Sequence, residues 1–105
     1  MEPITGTYLG TGAALQIKSE KVGFKPRWIR IMSRDLTAGK FAKAEWQDTM
    51  PDASMIKMVD PGDGTATDIT EELTNGITPL ASGFSIGADA DLNASGYTYH
   101  FVVCS

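Results

Sequence analysis

The chain has 105 residues, 42% of them hydrophobic and 21% charged, with 11 glycines and a formal net charge of −4. That length gives one domain, residues 1–105, with a single core and no room for a catalytic cleft between separate subdomains. Cys104 is the one cysteine, which excludes an intrachain disulfide and a cysteine-based zinc site. No apolar run reaches the length of a membrane span, and Met1-Glu2-Pro3-Ile4-Thr5 lacks a basic region followed by an apolar one, so no export signal and no membrane partner are expected.

The charge is unevenly placed. Residues 18–43 carry eight basic side chains against Glu20 and Asp35, net +6, whereas the remainder carries Lys57 against eleven acids, net −10. Such segregation suits a solvated strand edge with acidic loops, or opposite-signed patches that meet between neighbouring molecules. Direct nucleic-acid binding is not implied, because the net charge is negative and the basic segment lacks a Gly-flanked aromatic motif of the RNA-recognition type.

In chain order, the Thr- and Tyr-rich residues 4–9 predict a strand that Gly10-Thr11-Gly12 breaks. Ala13, Leu15 and Ile17 alternate with Ala14, Gln16 and Lys18, as in a half-buried strand. Pro26 fixes its own φ and pushes Lys25 toward an extended conformation, so a strand follows at residues 27–33. There Ile29 and Ile31 share one face, and Trp28, Arg30 and Met32 share the other. After a loop at residues 35–39, Ala42, Ala44 and Trp46 alternate with Phe41, Lys43 and Glu45, and the two strands form a hairpin.

Residues 52–59 read either as one or two helical turns capped by Asp52 or as another strand. Asp60-Pro61-Gly62-Asp63-Gly64 is a turn, residues 65–73 are a marginal strand near an edge, and residues 74–79 turn the chain back. The last two strands are residues 83–87 and 97–104, the latter with Tyr97, Tyr99, Phe101 and Val103 on one face. Residues 9–15 and 86–92 echo each other, as a repeated β-arch would. The predicted fold class is all-β: a small antiparallel β-sandwich or jelly-roll-like domain with at most one short helix.

No constellation demands a chemistry. Asp89, Asp91, Asn93 and Ser95 alternate like the oxygen ligands of a calcium loop, but Ala94 stands where that loop needs Gly and His100 where it needs Glu. They read instead as turn formers that bond the backbone. His100 and Cys104, four residues apart on one strand, are separated by roughly 13 Å and form no dyad. The Gly-rich turns lack the Lys and the strand-to-helix context of phosphate loops. Asn93-Ala94-Ser95 matches a glycosylation acceptor without a secretion signal. No enzymatic activity, cofactor or metal is expected. Trp28, Trp46, Tyr97 and Tyr99, with Met50, Met55 and Met58, supply apolar groups that either fill the core or build a docking face.

Three stretches carry a family resemblance: Gly6-Thr7-Tyr8-Leu9-Gly10-Thr11-Gly12-Ala13-Ala14-Leu15-Gln16-Ile17, Gly23-Phe24-Lys25-Pro26-Arg27-Trp28-Ile29-Arg30-Ile31, and the ending from Gly83-Phe84-Ser85-Ile86-Gly87 through Gly96-Tyr97-Thr98-Tyr99. With these the chain resembles small structural proteins of tailed bacteriophages, most of all capsid decoration (cement) proteins. The resemblance implies a virion component on the capsid surface, made in the cytoplasm of the bacterial host. Its partners would be the major capsid protein and neighbouring copies of itself, as a homotrimer. The expected capsid contacts are Arg27, Trp28, Arg30, Arg34, Lys43 and Trp46, and the expected subunit contacts are Met55 and Met58. The alternative is a tail- or baseplate-associated carbohydrate- or receptor-binding module, with Trp28, Trp46, Tyr97 and Tyr99 stacking on sugar rings.

Overall fold

A computed structural model describes residues 3–18, 22–33 and 40–105. Among them are eight strands: β1 (Ile4–Leu9), β2 (Leu15–Lys18), β3 (Trp28–Ser33), β4 (Phe41–Gln47), β5 (Ser54–Asp60), β6 (Asp68–Leu80), β7 (Gly83–Ile86) and β8 (Thr98–Cys104). They form one antiparallel sheet in the order β1-β8-β3-β4-β5-β6-β7-β2. The all-β architecture read from the sequence is the one observed, and no helix occurs among the described residues.

The sheet rolls on itself until strands distant in its order touch. Phe84 of β7 meets Phe101 of β8 edge to face at 5.2 Å, and Tyr8 of β1 lies 6.3 Å from Phe84 and stacks on Tyr99 at 5.2 Å. These rings need the roll, since β7 and β8 stand near opposite ends of the strand order. Alternation along each strand sends one set of side chains into the enclosed space. Ile29 and Ile31, Ala42, Ala44 and Trp46, Met55, Ile77, Ile86 and Val103 are all buried there. Each large apolar side chain so removed from water contributes about 1.5–3 kcal/mol. The small Ala42 and Ala44 leave room for the neighbouring rings and for Trp46.

One open sequence reading is decided and another is overturned. Of residues 52–59, read as helical turns or as a strand, Asp52 and Ala53 form a turn and Ser54 onward is strand β5: Met55, Lys57 and Val59 face inward and Ile56, Met58 and Asp60 outward, a period of two that a helix cannot keep. Residues 74–79, expected as a turn, continue β6 to Leu80. The turn chemistry is nevertheless used: pairing with β5 jumps from Met55 opposite Glu72 to Ser54 opposite Ile77, so residues 73–76 bulge out. Asn75 takes a left-handed φ of 58° in that bulge, a conformation Asn tolerates better than most residues. The expected β3–β4 hairpin is present, while its loop at residues 35–39 lies outside the described residues.

One end of the roll is closed by residues 87–97. Leu92 and Asn93 are fully buried, and the Tyr8 hydroxyl donates to the Leu92 carbonyl at 2.7 Å. The two segments that echo each other in sequence meet where Leu15 of β2 pairs with Ile86 of β7; at the closed end Gly10 N–H donates to the Tyr97 carbonyl, and Gly96 N–H to the Gly10 carbonyl. Gly10 is glycine because a Cβ there would overlap the Ala94 carbonyl oxygen.

Candidate functional site

The outward surface of β3–β6 combines aromatic, Met, Arg and Lys side chains on a rigid support. Register fixes its two rows. In one, Met32, Lys43, Met58 and Ile69 lie side by side across the four strands; in the next stand Arg30, Glu45, Ile56 and Glu71. Ile69 is 68% exposed, Ile56 41% and Met32 36%. Ile56 and Ile69 line a groove of about 290 Å³ with Arg30, Lys43, Glu45 and Met58. Arg30 lies 5.1 Å from the Trp28 ring centre, a cation–π distance, and 3.6 Å from Glu45. Ile56, Met58 and Ile69 are neighbours, Lys43 separates them from Met32, and an exposed apolar cluster bordered by charge is a feature of protein-docking faces.

Of the eight residues singled out from the sequence, Trp28, Arg30, Lys43 and Met58 come together on this face. Arg27 sits just beyond β3, where it holds Asp48 at 2.7 Å beside a second depression formed with Lys25, Met50 and Asp52. Arg34 lies outside the described residues. Trp46 and Met55 are instead core residues, 3% and 0% exposed, and so do not offer their side chains to a partner. Both stand on the inward register of their strands, and the Trp46 indole N–H is already taken by the Pro51 carbonyl at 3.0 Å. The same inward register removes Tyr99 from any sugar-stacking array, its hydroxyl donating to the Asp91 carbonyl. Sequence reasoning missed Ile56 and Ile69, whose signal is a large apolar residue at the outward position of an otherwise polar strand.

The acidic loop does a different job from cation binding. Asp89 is buried; its Oδ1 accepts the N–H groups of Asp91 and Leu92, as a turn former does, and its Oδ2 accepts from Lys57 Nζ at 2.9 Å. Lys57 also reaches Asp91 at 2.9 Å and Glu72 at 3.4 Å, and Lys40 meets the other Asp91 oxygen at 2.8 Å. The chain's own ammonium thus stands where a bound cation would. Burial alone would depress the Lys57 pKa, but its hydrogen bonds and attraction to Asp89 and Asp91 outweigh that and hold it above its ordinary value. Burial works against the Asp91 charge too, yet Lys40 and Lys57 keep its carboxyl below the usual range. Among the described residues no group of three or more His, Cys, Asp or Glu side chains is placed to hold a metal ion.

Asn93 completes the loop. Its Oδ1 accepts the Thr11 N–H at 2.9 Å, and its Nδ2 donates to the carbonyls of Ala13 at 2.7 Å and Gly87 at 2.9 Å. His100 and Cys104 lie on the outward side of β8, opposite Met32 and Trp28 of β3 respectively, four residues apart along the strand. No helix of the described residues is long and apolar enough to cross a membrane. Compared with known proteins, the chain matches no family model, no curated protein and no solved structure.

Proposed function

We propose that the protein is a non-catalytic assembly module that docks through the outward face of β3–β6, and that its setting is the capsid surface of a tailed phage, as a head decoration protein. The observation that carries the docking reading is the face itself. Met32, Ile56, Met58 and Ile69 form an apolar strip on a rolled sheet, and Trp28, Arg30 and Lys43 border it. Aromatic, Met and Arg side chains are the types enriched where proteins meet. The phage setting rests on the sequence resemblance.

The mechanism needs no bond chemistry. A ligand that binds the assembled lattice and not its dissociated subunits stabilises the lattice by mass action. The rolled sheet and its plugged end hold the strip in place, so little ordering entropy is lost on docking. The test is co-sedimentation of the purified protein with expanded empty phage heads, followed by electron microscopy of the particles. Saturable binding to the heads is the expected result. Absence of binding, or density on the tail in place of the shell, would sink the virion reading.

A further inference from the structure

We infer that the outward face of β3–β6 pairs with the same face of a second copy of this chain, as a two-fold dimer. The inference rests on the reading of this face as a docking surface and names its partner. The argument comes from the order of residues across the strands. One row runs Arg30, Glu45, Ile56, Glu71 from β3 to β6, basic at one end and acidic at the other. The next runs Met32, Lys43, Met58, Ile69 and is apolar at both ends. A two-fold axis parallel to the strands, between β4 and β5, lays β3 of one copy over β6 of the other and β4 over β5. Rows stay aligned and their order reverses.

Under that operation Arg30 faces Glu71 of the second copy and Met32 faces its Ile69, each contact occurring twice. Ile56 then lies over the stem of Glu45, and Met58 over the stem of Lys43. The outer pairs Arg30–Glu71 and Met32–Ile69 match in charge and in polarity, as an isologous interface requires. Shifting the axis by one strand would break both matches. Four strands about 4.8 Å apart, over about five residues at about 3.4 Å each, cover less than the roughly 800 Å² per partner of a standard interface. The dimer is therefore concentration dependent and salt sensitive. It also replaces the threefold association that the resemblance implies.

Sedimentation velocity over a concentration series, at low and high salt, tests the pairing. The wild-type chain is expected to pass from monomer to dimer. Arg30→Glu and Glu71→Arg, each setting like charges against each other twice, are expected to weaken association at least about tenfold. The double variant R30E/E71R restores it, because the charges are exchanged and remain opposite. Ile69→Asp, at an exposed position that folding does not need, should abolish it. Circular dichroism and thermal melts confirm that each variant is folded. A monomer at every concentration, a trimer, single variants that associate like wild type, or a double variant that stays dissociated would each overturn the dimer. A monomer that still binds empty heads would overturn the dimer and leave the docking face standing. A dimer that binds no heads would uphold it and remove the virion reading.

Discussion

Lys57 and Asp89 are held 2.9 Å apart, Nζ to Oδ2, although one belongs to the middle of β5 and the other to the loop that plugs the roll. Lys57 is the inward residue between Met55 and Val59, so it points toward the core instead of away from it. A lysine can take such a position only with its charge met, and Asp89, Asp91 and Glu72 meet it. The ion cluster therefore fastens the loop to the sheet.

Replacing Lys57 by Met leaves Asp89 buried without its cation. Removing one partner of a buried pair costs about 3–5 kcal/mol, and urea denaturation of Lys57→Met should show a loss of that size. The double variant K57M/D89N is expected to recover much of it. Asn retains an oxygen for the N–H groups of Asp91 and Leu92 and carries no charge to strand. Equal losses in single and double variants would show that the ion cluster contributes nothing specific.

The same cluster sets a pH window. Asp91 has its carboxyl held low in the fold, so its contribution is present above the unfolded value of about 3.9 and is lost as pH falls through the folded value. Lys57 is held high, so its contribution is complete below about 10.4 and is lost as pH rises through the folded value. Tyr8 is raised by burial first, then by Tyr99 and Asp89, and acts in the same alkaline direction. Melting temperature should be flat between about pH 5 and 9 and fall on both sides. The alkaline fall should become shallower in Lys57→Met and in Tyr8→Phe, and an unchanged alkaline limb in both would exclude these groups as its source.

Asn93 fastens the two loops at the plugged end through three hydrogen bonds while fully buried. Asn93→Ala orphans the Thr11 N–H and leaves the carbonyls of Ala13 and Gly87 without this donor, at a cost of about 1–3 kcal/mol for each group that stays unsatisfied. Asn93→Asp is expected to be worse than its near-identical shape suggests, since it turns a donor into an acceptor facing two carbonyls. Hydrogen exchange should report the change locally, with Thr11 losing protection. A variant Thr11 as protected as the wild type would show that other contacts hold the loop.

Strand positions and faces were largely legible in the sequence, because alternation at Ile29/Ile31, at Ala42/Ala44/Trp46 and at Tyr99/Phe101/Val103 is a local signal of which side is buried. Legibility ended where the physics is non-local. Thr74-Asn75-Gly76 has turn chemistry, yet it makes a bulge, and only the pairing of β6 with both β5 and β7 distinguishes the two. Asp89 forms the side-chain-to-backbone turn read from the sequence, whereas the Asp91 carboxylate pairs with Lys40 and Lys57 and Asn93 ties distant backbone: Lys57 lies 32 residues from Asp89 and Thr11 lies 82 from Asn93. Nothing in local spacing announces those partners. For the docking face, Trp28, Arg30 and Lys43 were legible on one face of alternating strands, and Met58 only as part of a contact stretch whose register the sequence left open. Ile69 was not, because the Thr-rich, acidic residues around it read as an edge strand without a partner face.

Met55 and Met58 give the sharpest comparison between core and surface, since they lie on one strand, have the same side chain and point to opposite sides. Met55 is fully buried against the core, so truncation to Ala removes the transfer energy of the side chain and leaves a cavity, together about 2–5 kcal/mol. Met58 is half-buried on the outward face beside Lys43 and Ile69. There truncation opens no enclosed space, and the cost to folding should stay within about 0.5–1 kcal/mol. Association should respond in the opposite order: Met58→Ala weakens it because a contact on the strip is lost, whereas Met55→Ala leaves the strip chemically intact. Urea titration read beside sedimentation velocity separates the two effects. Equal destabilisation by both substitutions would mean that the inward and outward registers of β5 are wrongly assigned.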